Sequence, residues 1–332
     1  MKIRVVPGQP HCFAYGGFDI QMHRTMEVLR AQGVDARPLD FWSRDIDFEV
    51  LHLWGFDAGA HVTTARFAKA YGKKIVLTPL VQYLTPRARL RHVGAWFRGE
   101  ARQRSALSRL VDRFLAVNEQ QGETLVRLYG VPAGKIEIVP TIIEDRFFEP
   151  APAIAALPDR FSDYLICPGN ICSRKNQLRL AEAAIATRTP VLFAGDVPGG
   201  EENYAECFAR AIAPHAFLRW NRWMEWADLL TAYRASRGVV LPSFEEQQPT
   251  VGLEAAALGK PLLLGQRPYA RQKFYANAYL ADPNSAWDIA RGLAALRERP
   301  AAHIPPAEMV QACRADRVGS LLQAIFAAVL AS

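Results

Sequence analysis

The chain has 332 residues, of which half are hydrophobic and 22% are charged, a composition typical of a globular protein with room for two domains. No apolar run is long enough to span a membrane, and residues 1–10 lack the apolar core of a signal peptide. The five cysteines are odd in number and lack metal-binding spacing, so we expect a cytoplasmic protein with reduced thiols. The net charge of +7 is concentrated in residues 1–150, where 21 Lys and Arg stand against 16 Asp and Glu; this excess predicts an anionic partner.

Short apolar runs alternate with helical patterns through the first half of the chain. Ile3–Val6 is predicted as a strand, a loop containing Gly16 and Gly17 follows, and Ile20–Gln32 is predicted as a helix. A glycine pair at such a turn lets a ligand lie against bare backbone, although most such turns are merely tight. The further elements of this half are predicted at Val50–Trp54, Thr63–Tyr71, Lys74–Leu77, Arg113–Val117, Gln120–Tyr129 and Lys135–Val139. The alternation favours a parallel α/β sheet.

Arginine is frequent between residues 87 and 113. On one continuous helix, at about 100° per residue, six arginines share a sector of roughly 80° and apolar side chains occupy the other side. The arginines are Arg87, Arg91, Arg98, Arg102, Arg109 and Arg113, and the apolar residues are Leu90, Val93, Phe97, Leu107, Val111 and Phe114. Gly94 and Gly99 are the positions at which the segment would divide into two helices. One interpretation is a surface helix docked by its apolar face, and the other is a surface that attracts anionic lipid headgroups or a lipid-diphosphate acceptor.

The second half begins after a proline-rich stretch, which we interpret as the linker at residues 151–163. A strand is predicted at Tyr164–Cys167, followed by a loop with Gly169, Asn170, Arg174 and Lys175 that leads into a helix at Gln177–Ala186. A glycine turn, two adjacent cations and a helix N-terminus are the parts needed to bind a diphosphate. Later elements are predicted at Val191–Ala194, Glu225–Ala235 and Leu321–Leu330.

Residues 239–265 are predicted to form a strand, a loop, a helix and a second strand. Gln248 is expected as the helix N-cap with Pro249 at the first helical position, and Gly259 lies just past the helix end. The backbone N–H groups of Thr250 and Val251 would then be available to an anion. Two carboxylates flank the start of this helix, Glu246 and Glu254, with seven residues between them. The simplest alternative is an ordinary strand-helix-strand unit with two solvated glutamates.

The pattern Pro-Ser-x-x-Glu-x7-Glu-Ala at residues 242–255 resembles the signature of family 4 retaining glycosyltransferases. This resemblance implies an α/β chain of the GT-B fold, with two Rossmann-like domains facing each other across a cleft. The loop from Gly169 to Asn176 is similar to the family's Gly-Arg-x-x-x-x-Lys-Asn loop, and the Gly16–Gly17 turn resembles its N-terminal Gly-Gly loop. The implied domains are residues 1–150 on the acceptor side, the linker 151–163, a nucleotide-sugar domain at 164–305, and a segment at 306–332 whose helix crosses back to the first domain.

The chain departs from the family pattern at four places, one of which is Thr141-Ile142, where Asn-Gly often follows the proline. Gln247-Gln248-Pro249 stands where Gly-Phe-Gly is usual, Asn170 stands at the position of the family arginine, and Thr78-Pro79-Leu80 lacks the histidine of many relatives. Arg174, next to Lys175, is a candidate source of the missing charge.

The resemblance also implies roles for individual residues. Glu246 would approach the donor sugar, Glu254 would hold the ribose, and Lys175 would neutralise the leaving phosphate. Trp220 or Arg222 would contact the base, although the three-residue spacing of Trp220, Trp223 and Trp226 is also typical of helix packing. The full set of expected donor-binding residues is Gly16, Gly17, Gly169, Asn170, Arg174, Lys175, Gln248, Thr250, Val251 and Glu254, with Glu246 and Lys175 as the catalytic pair.

We therefore expect a retaining, metal-independent glycosyltransferase of the hexosyltransferase type that needs no cofactor. It would move a sugar from a UDP or GDP donor to a saccharide or lipid-linked acceptor, in cell-surface polysaccharide or glycolipid synthesis. The expected location is the cytoplasm or the inner face of the membrane, and no nucleic-acid partner is expected. The alternatives are an inactive GT-B subunit that binds nucleotide-sugar and a GT-B epimerase; a dehydrogenase is disfavoured because the chain has no G-x-G-x-x-G fingerprint. The sequence leaves open the donor, the acceptor, the oligomeric state, and whether transfer is by double displacement or at the front face.

Overall fold

The computed structural model describes residues 1–12, 16–56, 58–81, 83–97, 99–149 and 162–332. The chain forms two compact units, one made of Met1–Ile142 with Ala312–Ser332 and the other of Ile143–Gln311. Most of the predicted linker at 151–163 lies outside the described residues. Each unit is built on a six-stranded sheet whose described strand pairs are all parallel, so the predicted α/β fold class is confirmed.

The first unit contains strands β1 (Lys2–Val6), β2 (Asp35–Pro38), β3 (Val50–Trp54), β4 (Lys74–Thr78), β5 (Arg113–Ala116) and β6 (Ile136–Ile138). Its sheet has the order β2-β1-β3-β4-β5-β6. The helices are α1 (Gly17–Ala31), α2 (Ala58–Ala70), α3 (Pro86–Phe97), α4 (Glu100–Leu110) and α5 (Glu119–Tyr129). Strand β2 was not predicted because Asp-Ala-Arg-Pro has no apolar run. It lies at the edge of the sheet, where polar residues and proline are tolerated.

Helices α3 and α4 divide the arginine-rich segment at Gly99, one of the two positions at which a division was expected. The chain breaks at Gly99, whose φ of +81° is left-handed and therefore suits glycine, whereas Gly94 lies inside α3. Arg113 lies in β5 and pairs with Glu137, with 3.6 Å between Arg113 Nε and Glu137 Oε1. A single stripe from residue 87 to residue 113 therefore does not form.

The predicted apolar face of this segment is also divided. Leu107, Val111 and Phe114 are buried in the first unit, but Leu90 and Val93 on α3 are 74% and 56% exposed. Arg91, Arg102 and Arg109 are exposed, whereas Arg98 and the side chain of Arg87 lie outside the described set. The docked-helix interpretation thus applies to α4 and does not apply to this part of α3.

The second unit contains strands β7 (Leu165–Pro168), β8 (Val191–Ala194), β9 (Leu218–Asn221), β10 (Gly238–Leu241), β11 (Leu262–Gly265) and β12 (Tyr279–Ala281). Its sheet has the order β12-β11-β10-β7-β8-β9. The helices are α6 (Gln177–Thr187), α7 (Glu202–Ile212), α8 (Trp226–Ala235), α9 (Thr250–Ala257), α10 (Ala286–Glu298) and α11 (Ala307–Val310). Strands β8, β10 and β11 are apolar runs, as expected for a parallel sheet covered by helices on both faces, whereas the edge strand β9 carries Arg219 and Asn221.

The last helix, α12 (Ala315–Ala331), packs on α1 in the first unit. Its apolar side chains join the core formed by β1, β3 and α1, and Phe326 contacts the ring of His52 with the ring centres 5.4 Å apart. Gly319 permits the close approach, since a Cβ there would lie 3.3 Å from the carbonyl oxygen of Val28.

Candidate functional site

The carboxyl ends of β7 and β10 lie side by side, because these two strands pair directly. From this pair the strand order runs outward in both directions, through β8 and β9 on one side and through β11 and β12 on the other. Open parallel sheets bind ligands beyond the carboxyl ends of the strands at such a switch point. The loops after β7 and β10 therefore define the candidate site.

In the loop after β7, the side chain of Lys175 packs against the backbone of Gly169. Gly169 has a φ of +123°, and a Cβ there would lie 3.0 Å from Cε and 3.2 Å from Nζ of Lys175. Gln177 holds the loop against α6, because its Nε2 donates to the Asn170 carbonyl at 2.8 Å and its Oε1 accepts from Cys172 N at 3.3 Å. The position of Lys175 thus depends on the absence of a side chain at Gly169.

Asn176 joins three loops at this end of the sheet. It is buried, with a left-handed φ of +64°, and its Nδ2 donates to the carbonyl of Pro242 at 3.1 Å and to that of Pro283 at 2.7 Å. These carbonyls lie just after β10 and β12. Sequence reasoning assigned Asn176 no role of its own, although its place beside Lys175 in the Lys-Asn pair was a signal. Its amide fixes the loop of Lys175 against the loop of Glu246.

Glu246 receives both cations of the β7 loop. Lys175 Nζ lies 2.8 Å from its Oε1, Arg174 NH1 lies 2.8 Å from its Oε2, and the hydroxyl of Ser243 donates to Oε1 at 3.0 Å. Burial alone would raise the pKa of the Glu246 carboxyl, but the charges of Lys175 and Arg174 and their hydrogen bonds outweigh it, so this pKa lies below its ordinary value. The carboxylate is therefore ionised at neutral pH.

Arg174 binds the β10 loop through its backbone and its side chain. Its carbonyl accepts from Phe244 N at 2.9 Å, and NH1 donates to the Glu245 carbonyl at 2.5 Å in addition to its contact with Glu246. Asn170, at the position of the family arginine, is exposed and bonded through its carbonyl to Gln177. The second cation at Glu246 thus comes from Arg174.

The loop of Gln247, Gln248 and Pro249 is held by a buried amide network. Gln248 Nε2 donates to Gln272 Oε1 at 2.8 Å, and Gln272 Nε2 donates to the carbonyls of Gln247 at 3.2 Å and Tyr269 at 2.9 Å. The prediction of Gln248 as N-cap is therefore wrong, since its side chain is engaged with Gln272. The N-cap is Pro249, and α9 starts one residue later than predicted, at Thr250.

The first turn of α9 begins at the two residues whose N–H groups were predicted to be available to an anion, and anion binding there stays a prediction. Thr250 and Val251 are its first two residues, and their N–H groups have no acceptor within the helix. Gly259, with a left-handed φ of +63°, follows the last turn as predicted.

Glu254 lies in the interior, on α9. It is 6% exposed, and its Oε2 accepts a hydrogen bond of 2.7 Å from the hydroxyl of Tyr233 on α8. The alternative of two solvated glutamates is therefore wrong, since the Glu246 side chain is only 11% exposed as well. No local pattern pointed to Tyr233, which lies 21 residues before Glu254.

The turn after β8 touches the turn after β7. A Cβ on Gly195 would lie 2.3 Å from the carbonyl oxygen of Gly169, so this contact requires glycine. Trp220 Nε1 donates to the Gly195 carbonyl at 2.9 Å, and Arg222 lies over the Trp220 ring with 5.8 Å between Cζ and the ring centre. Arg222 also pairs with Asp196 at 2.8 Å.

The three tryptophans spaced by three residues do not share a helix. Trp220 lies in β9, Trp223 lies in the following loop and is 78% exposed, and Trp226 is the first residue of α8. The interpretation of this spacing as helix packing is therefore wrong, because strand β9 ends at Asn221.

Gly16 and Gly17 begin α1 in the first unit. Gly16 is the N-cap, and its N–H donates to the carboxylate of Asp19 at 2.9 Å. Among the described residues, no atom lies within 4 Å of the Cβ position of either glycine.

The described residues offer neither a cluster of metal ligands nor a membrane-spanning helix. Among them, no group of three or more His, Cys, Asp and Glu side chains is arranged to hold a metal ion. Across the same residues, no helix combines the length and the apolar character needed to cross a bilayer.

Comparisons with known proteins agree with this architecture. The chain matches Glycosyltransferase Family 4 over residues 15–147 and Glycosyl transferases group 1 over residues 159–314. No curated protein sequence matches it significantly.

Three solved structures illustrate the likeness of fold. HepE from Anabaena, in complex with UDP-glucose, has a TM-score of 0.77 at 14% identity, covering 99% of this chain and 100% of that chain. Sucrose-phosphate synthase from Thermosynechococcus elongatus has a TM-score of 0.79 at 15% identity, over 100% of both chains. A UDP-forming trehalose-phosphate synthase from Burkholderia xenovorans has a TM-score of 0.65 at 13% identity, covering 94% of this chain and 78% of that chain. With the two sequence matches spanning most of its length, the chain belongs to glycosyltransferase family 4, whose members have the GT-B fold and use nucleotide-sugar donors.

Proposed function

We propose that this protein is a retaining glycosyltransferase that moves a hexose from a UDP-sugar to a saccharide or lipid-linked saccharide. The observation that carries the proposal is the cluster of Lys175, Arg174 and Glu246 at the carboxyl ends of the two switch-point strands. UDP is favoured over GDP because HepE was solved with UDP-glucose, and UDP-glucose is therefore the first donor to test.

Lys175 and Arg174 supply the charge that the leaving diphosphate needs. Both side chains end on the Glu246 carboxylate, so their donors converge around it, four residues before the helix start at Thr250. A phosphate oxygen at this point would meet two cations and the N-terminal dipole of α9. These groups neutralise the developing charge without a metal, which is why we propose metal-independent transfer.

Glu246 acts on the sugar. Its carboxylate is ionised because its two cations outweigh the effect of burial, and it lies next to the proposed phosphate position. A fixed negative charge there favours positive charge on the sugar ring as the bond to phosphate breaks. In double displacement Glu246 is the nucleophile; in front-face transfer the leaving phosphate accepts the acceptor's proton. Both routes require Glu246 in the same place.

The remaining donor contacts come from the loops around this cluster. Glu254 accepts hydrogen bonds from the ribose hydroxyls, and the N–H groups of Thr250 and Val251 contact phosphate. Trp220 and Arg222, stacked on each other beside the β8 turn, contact the base. Gly169 and Asn170 bring backbone to the diphosphate.

Donor hydrolysis tests the proposal without knowledge of the acceptor. Purified protein is incubated with UDP-glucose and other UDP- and GDP-sugars, and release of nucleoside diphosphate is measured. Lys175→Met and Glu246→Gln are each expected to lower the hydrolysis rate by about 10²- to 10³-fold, the usual effect of losing a group that stabilises the transition state. Lys69→Met is the matched control, because it removes a lysine-carboxylate pair of 2.6 Å to Asp112 in the first unit.

The two alternative functions give different results in the same assay. Binding of UDP with no hydrolysis and no transfer to any saccharide or lipid acceptor would identify an inactive nucleotide-sugar-binding subunit. Release of an epimerised sugar would identify an epimerase. Equal rates for Lys175→Met, Glu246→Gln and the control would contradict the proposed site.

The acceptor side includes a basic and apolar surface on α3, which we propose binds the inner face of the membrane. Leu90 and Val93 are exposed, and Arg89 and Arg91 beside them are exposed as well. Apolar side chains flanked by arginine suit the boundary between anionic headgroups and acyl chains. Arg102 and Arg109 on α4 extend the charge, and the proposed pathway is cell-surface polysaccharide or glycolipid synthesis.

Vesicle flotation tests this surface. Wild-type protein should float with vesicles containing phosphatidylglycerol and not with neutral phosphatidylcholine vesicles. The double variant Leu90→Ser, Val93→Ser should lose flotation, while Leu321→Ser, which alters an exposed leucine on α12, should retain it. Equal recovery of wild type with both vesicle types would rule out the lipid role.

A further inference from the structure

The hydroxyl of Tyr233 is directed at Glu254 from a neighbouring helix. Its oxygen lies 2.7 Å from Glu254 Oε2, Tyr233 is 1% exposed and Glu254 is 6% exposed. We propose that Tyr233 is a positioning residue that holds the Glu254 carboxylate in the orientation that receives the donor ribose. This inference rests on the proposed function, in which Glu254 binds that ribose.

The ring of Tyr233 is fixed by the helix that carries it and by an aromatic neighbour. Phe147 packs edge-on against the ring, with the centres 5.8 Å apart and the planes at 85°. The hydroxyl of Tyr164 donates to the Ala232 carbonyl at 2.8 Å, which ties α8 to the start of β7. The hydroxyl of Tyr233 therefore has little freedom to move away from Glu254.

A second contact, separate from the Tyr233–Glu254 hydrogen bond, joins the end of α8 to the segment after α9. Lys260, three residues after the end of α9, donates from Nζ to the carbonyls of Arg234 at 2.5 Å and Ser236 at 2.8 Å, at the C-terminal end of α8. The cation satisfies carbonyls that the helix leaves without partners. This contact helps to hold the helix of Tyr233 at a fixed distance from the helix of Glu254.

A neutral hydroxyl is the suitable partner for a carboxylate with this role. A carboxylate in the interior needs hydrogen-bond donors, but a cation would neutralise the charge that binds the ribose hydroxyls. Burial, followed by the negative charge of Glu254, raises the pKa of Tyr233 well above its ordinary value, so the hydroxyl keeps its proton. A carboxylate has about four acceptor positions, of which the hydrogen bond from Tyr233 to Oε2 occupies one.

The role is tested by comparing two nucleotides on one protein. Isothermal titration calorimetry gives the dissociation constants of UDP and 2′,3′-dideoxy-UDP, and their ratio measures the contribution of the ribose hydroxyls. For wild type the ratio should be at least about tenfold in favour of UDP, because hydrogen bonds to a charged group are strong. Tyr233→Phe should bring the ratio close to that of Glu254→Gln, in which the charge itself is lost. An unfolded fraction cancels, because both ligands are titrated into the same preparation.

Tyr164→Phe is the matched control. It removes another buried tyrosine hydroxyl that bonds to α8, one residue from Tyr233 in that helix, but it does not touch Glu254. A general loosening of α8 would weaken both nucleotides equally in either variant and leave the ratio at the wild-type value. The inference is supported if only Tyr233→Phe and Glu254→Gln lose the preference for UDP.

Two results would overturn the inference, and they differ in what they say about function. If Tyr233→Phe keeps the wild-type ratio while Glu254→Gln loses it, Glu254 binds ribose without help from Tyr233, and the proposed function stands. If wild type binds UDP and dideoxy-UDP equally or not at all, Glu254 does not bind the ribose. The proposed roles of Glu254 and Tyr233 are then both wrong.

Discussion

Acidification is expected to destabilise the first unit through His52, a buried histidine in its core. His52 on β3 is fully buried, contacts Phe326 of α12 and Trp54, and has Nε2 2.8 Å from the Thr78 hydroxyl. Its Nδ1 has no hydrogen-bond partner among the described residues. Burial lowers the pKa of His52 from 6.5 to about 3, because the charged imidazolium has nothing to compensate for its lost hydration.

The direction and the size of this change in stability follow from the protons that the folded and unfolded chains bind. Below pH 6.5 the unfolded chain binds a proton at His52 that the folded chain does not, so the stability present above pH 6.5 is lost as the pH falls. Each pH unit removes about 1.4 kcal/mol, which gives about 2 kcal/mol at pH 5.0 and about 5 kcal/mol by pH 3. Because α12 covers His52, we expect α12 to separate from α1 first.

Urea unfolding at pH 7.5 and pH 5.0 measures this contribution. His52→Gln keeps a side-chain amide for Thr78 but cannot titrate, so the loss between the two pH values should be about 2 kcal/mol smaller in the variant than in wild type. Hydrogen exchange of residues 315–331 locates the effect. An equal loss in wild type and variant would refute the assignment to His52, whatever the absolute stabilities.

Two further substitutions test the backbone that supports Lys175. Gly195→Ala places a Cβ 2.3 Å from the Gly169 carbonyl, so we expect a loss of about 1–3 kcal/mol in thermal unfolding and weaker UDP binding; Gly199→Ala, whose Cβ meets open space, should change neither. Asn176→Ala leaves two buried carbonyls without a donor, and we expect it to cost about 2–4 kcal/mol in urea unfolding. Asn176→Gly separates the causes, since it relieves the left-handed backbone but loses the same two bonds; full stability in this variant would contradict the role of the amide.

Most of the fold could be predicted because its determinants are local. The strands at Val50–Trp54 and Val191–Ala194 have the predicted bounds, since short apolar runs between turns are what a sheet covered on both faces requires. The failures came where the signal was tertiary or ambiguous. An arginine every few residues fits one long helix as well as two, and only the left-handed backbone at Gly99 decides between them.

In the candidate site, too, some residues could be predicted from local motifs and others could not. Lys175 and Glu246 could be named from sequence because each lies in a short motif, and the structure places their charged atoms 2.8 Å apart although 71 residues separate them. The partners that orient these motifs have no such signature. Gln272 bonds to Gln248, and Tyr233 bonds to Glu254. The partners in these pairs are 24 and 21 residues apart in the chain, so their contact could be found only from the structure.

The departures from the family pattern bear directly on whether the protein is an enzyme. Asn170 removes a cation from the diphosphate loop, yet Arg174 brings a guanidinium to the same carboxylate as Lys175 from the next turn of that loop. Gln247 and Pro249 replace glycines that permit a free backbone, yet Gln272 holds this loop through two hydrogen bonds. Removing one partner of such a cluster leaves an uncompensated buried charge, so an inactive binding protein would keep the second cation for stability as well. The retained charge and order at the altered positions therefore fit the proposed transferase, and loss of donor hydrolysis in Lys175→Met and Glu246→Gln is the result that separates it from an inactive subunit.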